Sequence, residues 1–464
     1  MEYDNADPQS IERYAQRLLG KSLRQYLGES GQDVESQKEG KGRLGQIVEE
    51  EFFHYQNNST AGPDFAEAGV ELKTTPMKAV KRGDGREWVP KERLVLNIIN
   101  YMEEGLLDAF EESSFWNKNR LLLLMFYLYE EGKDCLDLVF YIIRLWEFPS
   151  SDLSIIKEDW EIIHGKIKAG CAHEITEGDT RYLAACTKGS SASIRRQQPF
   201  SNELAKQRAY SLKTCYVRTI IDVSLKEQER KGGAKKDGAA TESDYQSLYA
   251  LPCYNEKLSF EQNVEHFLSR FYGMAENEIW AKLGDTPVAA KHKYAVLVRR
   301  MLGITKDRIE EFEKAGVEIK TVNLESNGTL KEAMSFRNID YKGIIQEEWE
   351  ESYWYDVLSH KFLFVVFQKR EDGSSSVFKV AFFWNMPSKD LEMAAEFWEH
   401  TKQRIVEDDF SHFIKASDKL ICHVRPHGRN AQDLVETATG RMEKKYSYWL
   451  NRDYVLSVVR SHLD

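Results

Sequence analysis

The apolar positions of this chain change period several times, and each change marks an element. From Ile11 to Leu27 they follow a helical period, interrupted at Gly20 and Gly28. After a polar stretch with Gly31 and Gly40, Leu44, Val48 and Phe52 recur at i, i+4 and i+8. That predicts a helix over 42–53 with Glu49 beside its apolar stripe. From Gly69 the period becomes two, which puts Val70 and Leu72 on one face of a strand and Glu71 and Lys73 on the other, exposed one. Buried strands are predicted over Arg93–Tyr101, Leu121–Tyr127 and Leu136–Ile143. A helix carrying Trp160 follows, with its start signalled by Pro149 and Asp152. Tyr182–Ser190 reads as a strand ending in a loop of small residues. Strands in series with helices at both ends predict an α/β fold, a mixed sheet flanked by helices.

The pattern then repeats. Trp146-x2-Pro149-x2-Asp152-Leu153-x6-Trp160 returns with identical spacing as Trp384-x2-Pro387-x2-Asp390-Leu391-x6-Trp398. Agreement at five positions, among them residues as scarce as Trp and Pro, points to an internal duplication. Other echoes keep the same order: Gln46-x2-Glu49 with Gln262-x2-Glu265, Arg120 with Lys361, and Cys186-Thr187-Lys188 with Arg425-Pro426-His427. Ser211–Tyr216 is matched more loosely by Trp449–Tyr454. Glu227–Asp244, rich in Lys and Gly, has linker composition. The predicted domains are therefore 1–226 and 245–464, joined by 227–244.

Composition narrows the classes. With 464 residues, 42% hydrophobic and 12% aromatic, the chain is long and apolar enough for two folded cores. The longest apolar run, Leu121–Leu128, suits a buried strand and is far short of a membrane span. The acidic start lacks the layout of a signal peptide, and six scattered cysteines form no Cys-x-x-Cys pair. Both features lead us to expect a reducing, cytoplasmic setting and no zinc module. A net charge of −11 argues mildly against nucleic acid, but it is an average. Local basic stretches remain: Lys78, Lys81, Arg82 and Arg86, then Lys188, Arg195, Arg196, Lys206 and Arg208.

The strongest chemistry lies at Asp64, Glu71 and Lys73. A turn after Pro63 would bring Asp64 to the strand bearing the other two, and two carboxylates with an ammonium can hold a divalent metal and orient a water against a phosphodiester. On spacing alone, a half-buried strand with a solvated charged face is the better explanation, because Asp followed by Glu-x-Lys is common in a chain that is 30% charged. The duplicate stretch carries Glu311, Glu318 and Lys320, with a longer acid in place of Asp64 and about 30 extra residues before it. The expectation is a degraded, non-catalytic second site.

Pro63-Asp64 with Glu71-Leu72-Lys73 resembles the PD-(D/E)xK nuclease signature. Gly45-Gln46-x2-Glu49 and Gly69-Val70-Glu71-Leu72-Lys73-Thr74-x-Pro76 are similar to MutH, the mismatch-repair nicking endonuclease. Lys91–Tyr101, Cys186–Gly189, Lys206–Ala209 and Ile421–His427 extend the resemblance to the Sau3A-type restriction endonucleases, which have two MutH-like halves and recognise GATC. The resemblance implies two tandem restriction-endonuclease-like domains. Asp64 and Glu71 would bind Mg²⁺ with the Leu72 carbonyl, Lys73 would position or activate the water, and Glu49 and Lys118 would assist. Thr187, Lys188 and Gly189 would read bases, with Ser211 and Lys213 close by. Arg425, Pro426 and His427 would let the second copy bind DNA. The implied partner is double-stranded DNA at GATC, in one or two copies, with a dimer or DNA-induced dimer possible. A repair-type nicking enzyme and a non-catalytic DNA-binding regulator are the alternatives.

Overall fold

The computed structural model describes residues 2–28, 42–55, 61–82, 85–188, 194–232, 245–287 and 293–463. The chain divides into two units, Met1–Ile175 with Thr180–Thr241, and Thr176–Asp179 with Glu242–Asp464. Each is a mixed sheet with helices against it, and the two repeat one topology.

In unit 1 the strands are β1 (Glu71–Arg82), β2 (Gly85–Pro90), β3 (Leu94–Ile98), β4 (Leu121–Leu128), β5 (Phe140–Glu147), β6 (Leu183–Thr187), β7 (Arg195–Gln198), β8 (Ser201–Lys206) and β9 (Arg208–Leu212). One sheet runs β2-β1-β4-β5, another β3-β9-β6, and β7 and β8 form a hairpin. The pair β1–β4 is parallel, with Glu71 opposite Leu122 and Lys73 opposite Leu124. A parallel pair is covered on both faces, which is why β4 reads as an unbroken apolar run instead of alternating. Leu122–Phe126 are all fully buried. The helix Arg43–Ile47 widens into a π-helical turn at Val48–Phe52. Leu44, Val48 and Phe52 go into the core with Ile11, Tyr14, Phe65 and Val70.

Unit 2 contains β10 (Tyr245–Gln246), β11 (Arg308–Ile309), β12 (Glu318–Leu324), β13 (Met334–Asn338), β14 (Phe362–Lys369), β15 (Ser376–Trp384), β16 (Cys422–Pro426), β17 (Leu434–Glu436), β18 (Met442–Lys444) and β19 (Tyr446–Leu450). Its sheets run β12-β14-β15 and β13-β19-β16, with β17–β18 as a hairpin. Again the first pair, β12–β14, is parallel, and Glu318 and Lys320 face Phe362 and Phe364. The repeated Trp-Pro-Asp-Trp spacing is structural. Pro149 and Pro387 each cap a helix of 19 residues, Ser150–Lys168 and Ser388–Val406. Asp152 accepts the Tyr216 hydroxyl at 3.0 Å, and Asp390 accepts that of Tyr454 at 2.6 Å. The extra residues of the second copy form the helices Glu276–Leu283 and Lys293–Met301.

Three predicted boundaries move. The strand expected over Leu136–Ile143 begins at Phe140, because Asp134 caps a 3₁₀ turn at Cys135–Asp137 through the Leu136 amide at 2.8 Å. The strand expected to reach Tyr101 ends at Ile98. Asn100 caps a helical turn there, accepting from the Met102 amide at 3.2 Å. The helix Thr214–Gly232 runs through the first residues of the stretch with linker composition, and 233–244 lie outside the described residues. Among the described residues no helix is long and apolar enough to cross a membrane.

Candidate active site

Asp64 reaches the sheet through a tight turn. Phe65 and Val70 bond each other in both directions, amide to carbonyl at 2.9 and 3.2 Å, and Gly69 closes the turn at φ +67°. Both side chains are buried, so the core fixes the turn. A side chain at Gly69 would be strained at that φ, and its Cβ would lie 3.1 Å from an Arg120 guanidinium nitrogen. The result places Asp64 beside Glu71. The Asp64 amide donates to Glu71 Oε2 at 3.1 Å, and the Leu72 amide donates to Asp64 Oδ2 at 2.9 Å.

Two lysines flank the other oxygen of Glu71. Lys73 Nζ donates to Oε1 at 2.5 Å, and Lys118 Nζ, from the helix Ser114–Asn119 that leads into β4, stands 3.6 Å from it. Glu49 is carried on the π-helical turn. Gly45 lets that helical segment pack flush on β1, since a Cβ there would meet Thr74 Oγ1 at 2.9 Å. Asp64, Glu71, Lys73, Lys118 and Glu49 thus share one electrostatic neighbourhood. Burial, and then the negative Asp64, push the Glu49 carboxyl up to about 7. Burial raises Glu71 as well, opposed chiefly by Lys73. The period-two pattern predicted an exposed charged face, whereas Glu71 is 1% exposed. The strand is central, and the two lysines and the Glu49 segment close over it.

Among the described residues no three His, Cys, Asp or Glu side chains gather as a metal cage. Two carboxylates and a main-chain carbonyl are nevertheless a hard, all-oxygen donor set, the kind that holds Mg²⁺ while it keeps several waters. The mutual repulsion of Asp64, Glu71 and Glu49 is what a divalent cation would offset. The residues fit such an ion.

The second copy lacks this convergence. Glu318 and Lys320 form a 2.7 Å pair on β12, but Glu311 belongs to a helix, Glu310–Ala315, in place of the turn. Its buried carboxylate accepts from the Ser247 hydroxyl and, at 3.0 Å, from the Leu248 amide. Lys361, before β14, is committed to Glu261 at 2.6 Å.

The predicted base-reading residues divide. Thr187 ends β6 half-buried and Lys188 is exposed, while Gly189 lies outside the described residues. Ser211 is fully buried, within 3.5 Å of the Ala184 carbonyl, and Lys213 is buried with Nζ on the Thr180 carbonyl at 2.6 Å. Both are buried against β6 and the segment that leads into it, and not on a surface. Arg425 and Pro426 are exposed at the end of β16, Arg425 lies over the Trp449 ring at 5.3 Å, and His427 Nδ1 is 3.0 Å from the Ser447 hydroxyl. Sequence reasoning missed Asp159, which is fully buried and accepts the amides of Arg181, Tyr182 and Leu183 at 2.9, 2.6 and 3.0 Å. It fixes the start of β6. Its place on the buried face of the Trp160 helix was the available clue.

An acid-presenting turn against a parallel strand pair, with Glu-x-Lys on the inner strand and the whole scaffold doubled, defines a PD-(D/E)xK-type nuclease architecture. Known proteins agree. The family model described as "DNA mismatch repair enzyme MutH" matches residues 53–159 and 303–396, one segment in each copy. The chain is 33% identical to the type II restriction enzyme Sau3AI of Staphylococcus aureus, over 98% of this chain and 99% of that protein. It is 28% identical to the DNA mismatch repair protein MutH of Shewanella baltica (strain OS185), over 46% of this chain and 94% of that protein. MutH of Shewanella amazonensis is 26% identical, also over 46% of this chain. The chain belongs to the MutH/Sau3AI family of DNA endonucleases.

Proposed function

We propose that this chain is a type II restriction endonuclease that hydrolyses double-stranded DNA at GATC with Mg²⁺, cutting with the N-terminal unit. The observation that carries this reading is the meeting of Asp64, Glu71 and Lys73 at one turn, in a chain whose likeness to a restriction enzyme runs its full length. The repair-nicking alternative is weaker, because the MutH relatives cover 46% of the chain and leave one copy unaccounted for. Intact acids and lysine in the first copy count against a non-catalytic regulator.

Asp64, Glu71 and the Leu72 carbonyl would hold the ion, which would supply charge neutralisation at the scissile phosphate and a more acidic water. Lys73 Nζ, fixed on Glu71 Oε1, points an attacking water at phosphorus, and Lys118 Nζ adds positive charge beside it. Glu49, its carboxyl pushed up to about 7 by burial, gives up its proton as the site loads and is then placed to take one from the attacking water. Lys188 contacts guanine O6 or N7 from the loop after β6. The C-terminal unit, with Glu311 committed elsewhere and Arg425 exposed, binds a second copy of the DNA or a partner chain and so promotes cleavage. Plasmid carrying GATC sites, incubated with the purified chain and Mg²⁺ alone, tests this. Double-strand cuts without a partner ATPase support restriction, whereas nicks that require one support the repair reading.

A further inference from the structure

Beside its reading loop each copy carries an exposed arginine at a position where the other has valine or cysteine, and the two lie on different strands. The register aligns the copies residue by residue here. Thr187 pairs with Arg208 as Pro426 pairs with Tyr446. The Lys188 amide bonds the Gln207 carbonyl at 2.9 Å, as the His427 amide bonds that of Lys445 at 2.8 Å. Cys186 therefore corresponds to Arg425. In the hairpins, Arg195 faces Lys206 and Arg196 faces Ala205, as Leu434 faces Lys444 and Val435 faces Glu443. Arg196 therefore corresponds to Val435. One copy has a buried cysteine on the strand and an exposed arginine on the hairpin, and the other has an exposed arginine on the strand and a half-buried valine on the hairpin.

The placement of Arg196 is specific. Directly opposed residues of an antiparallel pair share a face, and faces alternate along a strand. Gln207 lies opposite Lys188, and Ala205, two residues earlier, lies opposite Arg196, so Lys188 and Arg196 share one face while Arg195 and Lys206 share the other. Arg196 Nε donates to Gln207 Oε1 at 2.6 Å. Gln207 is only 7% exposed, so its amide is a fixed post. A guanidinium held through Nε turns its other edge, the two terminal nitrogens, away from that post, and this planar edge matches guanine O6 and N7. The hairpin bearing it is itself pinned. Gln198 bonds the Ala172 amide and the Glu203 carbonyl, both at 2.7 Å, and the Tyr101 hydroxyl bonds the Lys206 carbonyl at 2.6 Å. Little ordering is left to be done on binding.

We propose that Arg196 reads a guanine edge beside Lys188, pre-oriented by Gln207, and supplies in the first copy the guanidinium that Arg425 supplies in the second. This rests on the reading of the chain as a GATC endonuclease. The test is binding by the full chain, without Mg²⁺, to duplexes whose GATC guanines are either ordinary or 7-deaza, which lack the N7 acceptor. Wild type is expected to bind the 7-deaza duplex roughly 5-fold or more weakly. Measured in an Arg425→Ala background, so that only the first copy reads guanine, Arg196→Ala should lose most of the discrimination, Gln207→Ala should keep part of it, and Arg195→Ala, on the other face, should keep all of it. Arg196→Ala retaining the wild-type ratio overturns the proposal, as does Arg195→Ala losing as much. Wild type indifferent to 7-deaza-guanine would overturn it too, whereas wild type that binds GATC and scrambled duplexes alike would instead remove the reading of GATC on which the proposal rests.

Discussion

Replacing Lys73 by Met tests how far Lys73 offsets the burial of the Glu71 carboxyl. Glu71 is 1% exposed, and its Oε1 has Lys73 at 2.5 Å and Lys118 at 3.6 Å. Burial raises the Glu71 pKa above the ordinary carboxylate value, and Lys73 is the largest influence opposing that rise. Removing Lys73 therefore raises it further. A carboxyl with a raised folded-state pKa carries no penalty while both states are protonated. The penalty grows as pH climbs from the unfolded pKa to the folded one, and is constant beyond. The charge-dependent loss in Lys73→Met should thus be absent near pH 4 and complete at alkaline pH. A hydrogen bond to a charged group contributes about 1.5–3 kcal/mol, and since Lys118 remains nearby we expect about 2 kcal/mol. For a unit of this size that is a fall of roughly 4–8 °C in Tm. Thermal melts of wild type, Lys73→Met and Glu71→Gln/Lys73→Met across pH provide the assay. The double variant should recover most of the stability and none of the cleavage. An equal Tm loss at pH 4.5 and 8, or no recovery in the double variant, would refute the reasoning.

Further outcomes follow from the same geometry. Because Glu49 stands at about 7, Mg²⁺ binding should release a proton and weaken by about tenfold per pH unit below that value. Glu49→Gln should flatten this dependence, as read by titration calorimetry in buffers of different ionisation heat. Glu311→Ala removes the anchor of Ser247 and Leu248 and should destabilise the C-terminal unit by about 1–3 kcal/mol, with cleavage per folded molecule unchanged. Arg425→Ala should abolish stimulation of cleavage by added uncut GATC duplex while leaving unstimulated cleavage in place. Stimulation persisting at wild-type level would count against DNA binding by the C-terminal unit.

What was legible in the sequence was what depends on local period and on repetition. Leu44, Val48 and Phe52 gave the helix under Glu49, Val70 and Leu72 gave the strand, and the doubled Trp-Pro-Asp-Trp spacing marked two helix starts, while the Asp–Tyr bonds behind it show only in the structure. What was not legible depends on partners distant in the chain. Alternation at Glu71 and Lys73 carries no information about Lys118, which closes over them from the next strand connection. Ser211 and Lys213 look like surface polar residues until β6 and the Thr180 carbonyl are placed against them. Glu311 looks like a lengthened Asp64, yet what removes it from the site is a helix where the first copy has a turn. The pairing of Arg196 with Gln207 depends on the hairpin register, which no pattern in either segment states.

The central claim is that one copy cuts and the other does not. Plasmid cleavage by Asp64→Ala and Glu318→Ala variants of the full chain, scored for nicked and linear product over time, tests it most directly. The account predicts no product from Asp64→Ala and wild-type double-strand cutting by Glu318→Ala. Persistent cutting by Asp64→Ala, or its loss in a well-folded Glu318→Ala, would contradict it.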